Sequence, residues 1–299
     1  MTRKTTKTGK TPEQRQAERE ELLATVADKI DTLTSSAEWV AYLRFLGSFR
    51  SYSFKNALLI LVQCPHASHV AGYRKWQQYG RQVRTGEKGI KIIGYSTKKR
   101  TEVDEQTGEE TVTRIPRFPV LCVFDVSQTD GDELPSDGFA LPTGADSNGV
   151  EQLVTEWLTR DGWRVETERI GGAVNGYTDH KAHRVALADT LEPAGRVAVL
   201  LHEAGHVVLH AELEPGDYQQ HRGIYETEAE SAAYVLANLL GVAADEKSIP
   251  YIAGWSSADR ALIEATGANV LRAVNTIAAG LGLDADSEQD DAGEEVSAA

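Results

Sequence analysis

An α+β fold in two domains is predicted, on three observations. The chain has 299 residues, and domains run to roughly 100–200 residues each. Its charge reverses part-way: residues 1–130 hold 21 Lys and Arg against 15 Asp and Glu, whereas residues 131–299 hold 10 against 30. Residues 127–149 (SQTDGDELPSDGFALPTGADSNG) have the Gly, Pro, Asp and Ser content of a connector, and they lie where the sign changes. The expected organisation is a disordered basic arm over 1–15, a first domain over 16–130, a linker over 131–149, a second domain over 150–283 and a disordered acidic tail over 284–299.

The elements follow from periodicity. Leu22, Leu23, Val26, Ile30 and Leu33, then Trp39, Val40, Leu43 and Leu46, recur at helical spacing. Two helices are expected, separated near Thr34–Ser36 with Ser36 as N-cap. A third helix covers Ser53–Gln63, closed by Pro65. Arg74–Tyr79 reads as a short helix stopped by Gly80. Short strands are expected at Gln82–Arg84, Gly89–Tyr95 and Val120–Asp125, with a mobile hairpin or loop over Thr101–Thr113. In the second domain a helix at Val150–Arg160 precedes strands at Trp163–Thr167, Gly176–Tyr177 and His183–Ala188. Helices then follow over Ala194–His210 and Tyr225–Leu240, and over Ser256–Leu281 with breaks near Gly267 and Gly280.

Several classes are excluded. With 41% hydrophobic and 25% charged residues, the composition is globular and not that of a wholly disordered chain. No apolar stretch approaches the roughly 18–20 residues that span a bilayer, and the basic N-terminus has no apolar core of a secretory signal. Cys64 and Cys122 cannot make a disulfide framework or a four-cysteine zinc site. A cytoplasmic protein without a membrane partner is expected.

The sharpest chemical signal is Leu200-Leu201-His202-Glu203-Ala204-Gly205-His206, an H-E-x-x-H motif in an apolar helix. Four residues turn a helix by roughly 400°, so His202 and His206 share a face. Two imidazoles so placed can reach one Zn²⁺ at roughly 2.0–2.1 Å each. Glu203 is then the catalytic base that takes a proton from water activated at the metal. A third ligand is required. The metzincin pattern needs Gly and His where this chain has Leu209 and Glu212, so that class fails. Glu226-Thr227-Glu228-Ala229-Glu230 opens a later helix instead, and supplies Glu226 as ligand, with Glu228 as its rival and Glu230 as an outer partner that orients a metal histidine. The small residues Ala229, Ala232 and Ala233 suit close approach of that helix to another. His210, one turn past His206, is a weaker candidate, and His221 or Tyr225 can serve a developing oxyanion.

Residues 42–100 carry 12 Lys and Arg against one acid, Glu87, with aromatic residues interleaved. Cations track a phosphate backbone, and aromatic rings stack on unpaired bases. The candidate contacts are Tyr52, Lys55, Asn56, Tyr73, Arg74, Trp76, Tyr79, Arg81, Arg84 and Lys88.

The runs YSFKNALLI (52–60), QCP (63–65), VAGYRKW (70–76) and GRQVRTGEKGI (80–90), closed by VFDVSQT (123–129), resemble the N-terminal domain of ArdC-like antirestriction proteins. The His202–His206 helix with the Glu226–Glu230 helix looks like the metallopeptidase half of that family, which is similar to the ImmA/IrrE group and, in its ligand order, to glutamate zincins. Tyr251–Trp255 also resembles a segment of that half. The resemblance implies a small α+β domain that binds single-stranded DNA, followed by a zincin-like metallopeptidase domain. The substrate it implies is a regulatory or restriction protein, cut at a peptide bond by Zn²⁺-activated water. Two rivals stand: a non-catalytic antirestriction protein with a structural or vestigial zinc site, and a general peptidase whose basic domain binds substrate.

Overall fold

The computed structural model describes residues 10–103, 110–134, 147–172, 174–213, 216–242, 244, 249 and 260–283. It is an α+β protein of two compact units. The predicted acidic tail and the Tyr251–Trp255 segment lie outside the described residues, as do 1–9 of the predicted arm and 135–146 of the predicted linker.

The first unit takes in residues 58–132 and the start of the chain through Asp28. Helix α1 (Pro12–Thr32) begins inside the stretch expected to be a disordered arm. Beyond it come the end of α3 (Phe54–Gln63), β1 (Val70–Gly72), α4 (Tyr73–Gln78), β2 (Arg81–Val83), β3 (Ile90–Ile93), β4 (Ser96–Val103), β5 (Glu110–Arg117), β6 (Val120–Asp125) and β7 (Thr129–Gly131). Strand β6 is central in an antiparallel sheet of order β1–β6–β3. β2 pairs with β7, so the chain stays in the fold for several residues past the start of the expected connector. β4 and β5 form a two-stranded hairpin where a hairpin or loop was expected. Asp125 ends β6 and anchors the next turn. Its carboxylate accepts the Ser68 and Ser127 N–H groups at 2.8 and 2.9 Å. Burial alone would raise its pKa, but these hydrogen bonds win and hold it below the usual range.

The second unit contains residues 29–57 as well as the C-terminal half. The expected boundary at 130 therefore does not hold for α2 (Ser36–Ser48), whose N-cap is Ser35 rather than Ser36. The reason is packing. Trp39, Tyr42, Leu43 and Leu46 are almost wholly buried, and the Trp39 indole donates to Ser231 Oγ at 2.9 Å. Ser231 lies in α7 (Asp217–Leu239) of the same unit. α3 runs through the boundary, with Phe54–Ala57 in this unit.

The remaining elements are α5 (Ser147–Arg160), β8 (Arg164–Glu168), β9 (Gly176–Asp179), β10 (Arg184–Ala188), α6 (Pro193–Leu209) and α8 (Arg260–Gly280). The sheet order is β8–β10–β9, with β10 parallel to β8 and antiparallel to β9. α8 runs unbroken through Gly267, against expectation. A Cβ at 267 would lie 2.1 Å from Phe54 Cε2, and Phe54 is buried edge-on against Tyr42. The glycine serves close packing and not a break. Gly267→Ala is expected to lower stability by about 1–3 kcal/mol through overpacking, despite alanine's better helix propensity. An unchanged urea midpoint would contradict this.

Candidate metal centre

α6 opens with Pro193 in its first turn, where the missing N–H is not needed. Its inner face buries Val197, Leu200, Leu201 and Ala204. His202, Glu203 and His206 then line one cleft with Thr178, Tyr218 and Glu226. α7 crosses α6 closely: a Cβ on Gly205 would stand 3.0 Å from Ala229 Cα and 3.3 Å from its carbonyl oxygen. The small residues of both helices thus set the separation at which an α7 carboxylate meets two α6 imidazoles. Ala229 and Ala232 are fully buried there, as their size suggested.

The donor atoms converge. His202 and His206 Nε2 are 3.0 Å apart. Glu226 Oε2 lies 3.4 Å from the first and 3.9 Å from the second. One ligand atom from each of these residues falls within 4.8 Å of the others. Tetrahedral bonds of about 2.0–2.1 Å place donors about 3.4 Å apart, so this N₂O set fits a divalent metal ion. Glu228, the rival, is 2% exposed and faces away. It pairs with His210 at 3.1 Å.

The far side of each imidazole is also engaged. His202 Nδ1 is 2.7 Å from Glu230 Oε2. His206 Nδ1 is 2.8 Å from His210 Nδ1, an arrangement the sequence did not foretell. If His206 offers Nε2 to a metal, its proton sits on Nδ1 and is donated to His210 Nδ1. His210 then carries its proton on Nε2 and donates it to Glu228, whose other oxygen accepts from Asn269 Nδ2 at 2.9 Å. The chain Asn269–Glu228–His210–His206 has one consistent proton assignment, and it aims a lone pair at the donor cluster. Glu228→Ala is expected to weaken metal affinity about 10–100-fold, measured by competition with a chelator. An unchanged affinity would contradict this role.

Charge follows the same contacts. Burial alone would lower the pKa of His202, but the Glu226 and Glu230 carboxylates carry it up to about 10. Burial pushes His206 down to about 4, only partly offset by Glu226. Glu226 lies far below the usual carboxylate range, held there by His202 and His206 and then by Tyr218, whose hydroxyl donates to Oε1 at 2.6 Å. Burial raises the Glu203 carboxyl, and the Thr178 hydroxyl, donating at 2.7 Å, offsets part of that rise.

Thr178 and Tyr218 were not foreseen. Thr178 stands on β9, whose Gly176 lets the strand lie against α6: a Cβ there would be 2.5 Å from Val199 and 3.2 Å from Glu203 Oε1. Tyr218 belongs to a first turn of α7 that starts before the expected Tyr225. That turn is set at an angle by His221, whose backbone leaves helical geometry (φ −117°, ψ 18°). Tyr225 stacks on Tyr218 and packs against His210.

The expected nucleic-acid contacts separate. Tyr52, Lys55 and Asn56 lie in the second unit, and the others in the first. Tyr52 and Asn56 are buried, and Lys55 pairs with Glu264 at 2.6 Å. Trp76 is wholly buried and donates its indole N–H to Phe124 O at 2.9 Å, so it offers no face for stacking. Tyr79 is half-buried beside it. Arg81 stitches β7 to β2, donating to Thr129 Oγ1 at 2.8 Å and to carbonyls of Thr129, Gly131 and Asp132. Arg84 pairs with Glu87 and Asp130 at 3.0 and 3.3 Å. Tyr73, Arg74 and Lys88 are exposed.

Residues 16–126 match the family of the N-terminal domain of anti-restriction factor ArdC. The ArdC-like stretch thus extends from α1 through β6. An uncharacterized protein of Bacillus anthracis is 26% identical over 290 residues, covering 83% of this chain and 48% of that protein. One of Sinorhizobium fredii is 28% identical over 171 residues, covering 54% of this chain and 53% of that protein. The chain spans about half the length of the curated relatives it matches. The metal-free crystal structure of antirestriction ArdC protein from R388 plasmid aligns with a TM-score of 0.51 and 24% identity, over 79% of this chain and 87% of that one. At that identity the likeness is one of fold, and it reaches beyond the ArdC-like stretch into the second unit. Among the described residues, no helix is long and apolar enough to cross a membrane.

Proposed function

We propose that this is an antirestriction protein of ArdC type that binds single-stranded DNA through its first unit. In this reading the second unit is a zincin-like peptidase of ImmA/IrrE kind that cleaves a DNA-associated regulatory or restriction protein. The observation that carries the peptidase half is the convergence of His202 Nε2, His206 Nε2 and Glu226 Oε2 beside a buried Glu203. A site that only stabilised the fold would not need a fourth group, the non-converging Glu203 carboxylate, facing the same cleft. Two imidazoles and one carboxylate suit Zn²⁺, which when bound supplies Lewis acidity and lowers the pKa of water toward about 7.

The chain's own residues supply the rest. Thr178 holds the Glu203 carboxylate by one oxygen, leaving the other to accept a proton from water in the cleft and pass it to the leaving amine. Its raised pKa suits both halves of that task. Tyr218 fixes the second oxygen of Glu226. β10 is paired on both sides and has no free edge for an extended peptide. β9 is the edge strand beside Glu203, and its outer edge offers backbone groups to a substrate.

The test is metal content and proteolysis measured together on the full chain. Zn²⁺-loaded protein is expected to cleave casein or a DNA-bound repressor, with or without added single-stranded DNA, and to stop when the metal is chelated. Stoichiometric zinc with no cleavage of either probe would leave a binding protein and sink the peptidase half.

A further inference from the structure

The base of the β4–β5 hairpin carries features that neither the metal centre nor the core uses. Tyr95 and Phe118 flank the two strands at that end. They are 64% and 48% exposed, yet their rings face each other at 5.7 Å with a 58° tilt. Two neighbouring aromatic rings held at the surface forgo burial that would stabilise the core. Lys98, Lys99, Arg100, Arg114 and Arg117 lie within five residues of the pair in sequence, and all are exposed. In sequence, the acids of this stretch fall between 102 and 110, away from the ring pair.

The register sharpens this. Lys99 stands directly opposite Arg114 across the ladder. Like charges in that position are destabilising, in a sheet of only two strands that has little stability to spare. An anion lying across the hairpin would remove the repulsion. Lys98, Arg100 and Arg117 project from the opposite face by the alternation of the strands, so both faces of the ladder carry cations.

We infer that the Tyr95–Phe118 pair and the cations of the hairpin base form the stacking platform for single-stranded nucleic acid, in place of the buried Trp76 and Tyr52. A base stacks on the outer face of Tyr95, while Lys99 and Arg114, side by side further along the ladder, hold the phosphates of the strand that runs on from it. This rests on the reading of the first unit as a single-stranded-DNA-binding domain.

Binding of a fluorescent oligothymidine to the full chain tests it, by anisotropy across a salt series. Tyr95→Ala and Phe118→Ala are each expected to weaken binding about 5- to 100-fold, whereas Tyr95→Phe retains it. Lys99→Glu should raise the melting temperature of the DNA-free protein, because it faces Arg114, and yet weaken binding. Arg114→Ser should reduce the slope of log K against log salt by about 0.7. Those opposite movements are not those of a folding defect. If wild-type protein binds and all four weakening variants bind equally well, the hairpin assignment is overturned while the DNA-binding reading stands. If wild-type protein fails to bind the oligonucleotide even at low salt, both fall together.

Discussion

His206→Ala is expected to take metal content from about one ion per chain to none. The lost imidazole is one of three converging donors, and two donors on adjacent elements do not hold a divalent ion against solvent. Glu226→Ala should do the same, because its carboxylate is the one that reaches both Nε2 atoms. The stabilisation expected of the wild type in excess Zn²⁺, about 2.7 kcal/mol at a hundredfold excess over Kd, should vanish with it. A proton balance accompanies uptake. The Glu226 and Glu230 carboxylates raise the pKa of His202, so it carries a proton at neutral pH in the metal-free chain, whereas burial lowers that of His206, which does not. Each ion bound at pH 7 should therefore release about one proton, and affinity should climb about tenfold per pH unit until His202 itself deprotonates. Calorimetry in buffers of different ionisation enthalpy measures this. Retention of stoichiometric zinc by His206→Ala, or uptake with no proton release, would contradict the assignment.

Glu203→Gln is expected to keep the metal and lose peptide hydrolysis, by roughly 10²–10⁴-fold or to background. The amide has nearly the shape of the carboxylate and can still accept from Thr178, so the cleft stays intact. It cannot accept a proton from water. The two readouts separate the roles cleanly: the ligand variants lose metal and activity together, and Glu203→Gln loses activity alone. Thr178→Val leaves Glu203 without its hydrogen bond in a buried position, and should raise its pKa further and move the acid limb of the pH–rate profile upward. Full activity in Glu203→Gln would remove this residue from the reaction.

Much of the candidate metal centre was legible because its logic is local. His202, Glu203 and His206 lie within one helical turn or so of each other, and helix geometry alone puts the two imidazoles on one face. Glu230 follows Glu226 at the same spacing. The choice between Glu226 and Glu228 was not local. They stand about 200° apart around α7, and the sequence contains no statement of which side meets α6. The contact of Gly205 with Ala229 decides it, turning Glu226 and Glu230 toward the imidazoles and Glu228 toward His210. The same holds for Thr178 and Tyr218, which arrive from a strand edge and a kinked turn.

The first unit shows the limit more plainly. Composition marks its basic, aromatic character, but an aromatic ring serves a core or a surface equally well. Trp76 was read as a platform and is buried, because Phe124 at the end of β6 offers its carbonyl to the indole within an apolar shell. Arg81 and Arg84 were read as phosphate contacts, and their donors are taken by β7 and by Glu87 and Asp130. α2 was assigned by its position in the chain, and its apolar face found Ser231 and its neighbours far along it. The sequence by itself determined the α+β class, the two helices of the metal motif and the charge reversal, all of which are set by spacing and residue count. Tertiary structure alone decided which carboxylate turns inward, which rings are exposed and which unit owns α2. Those depend on contacts between residues distant in the chain, where burial of apolar surface outweighs any local preference.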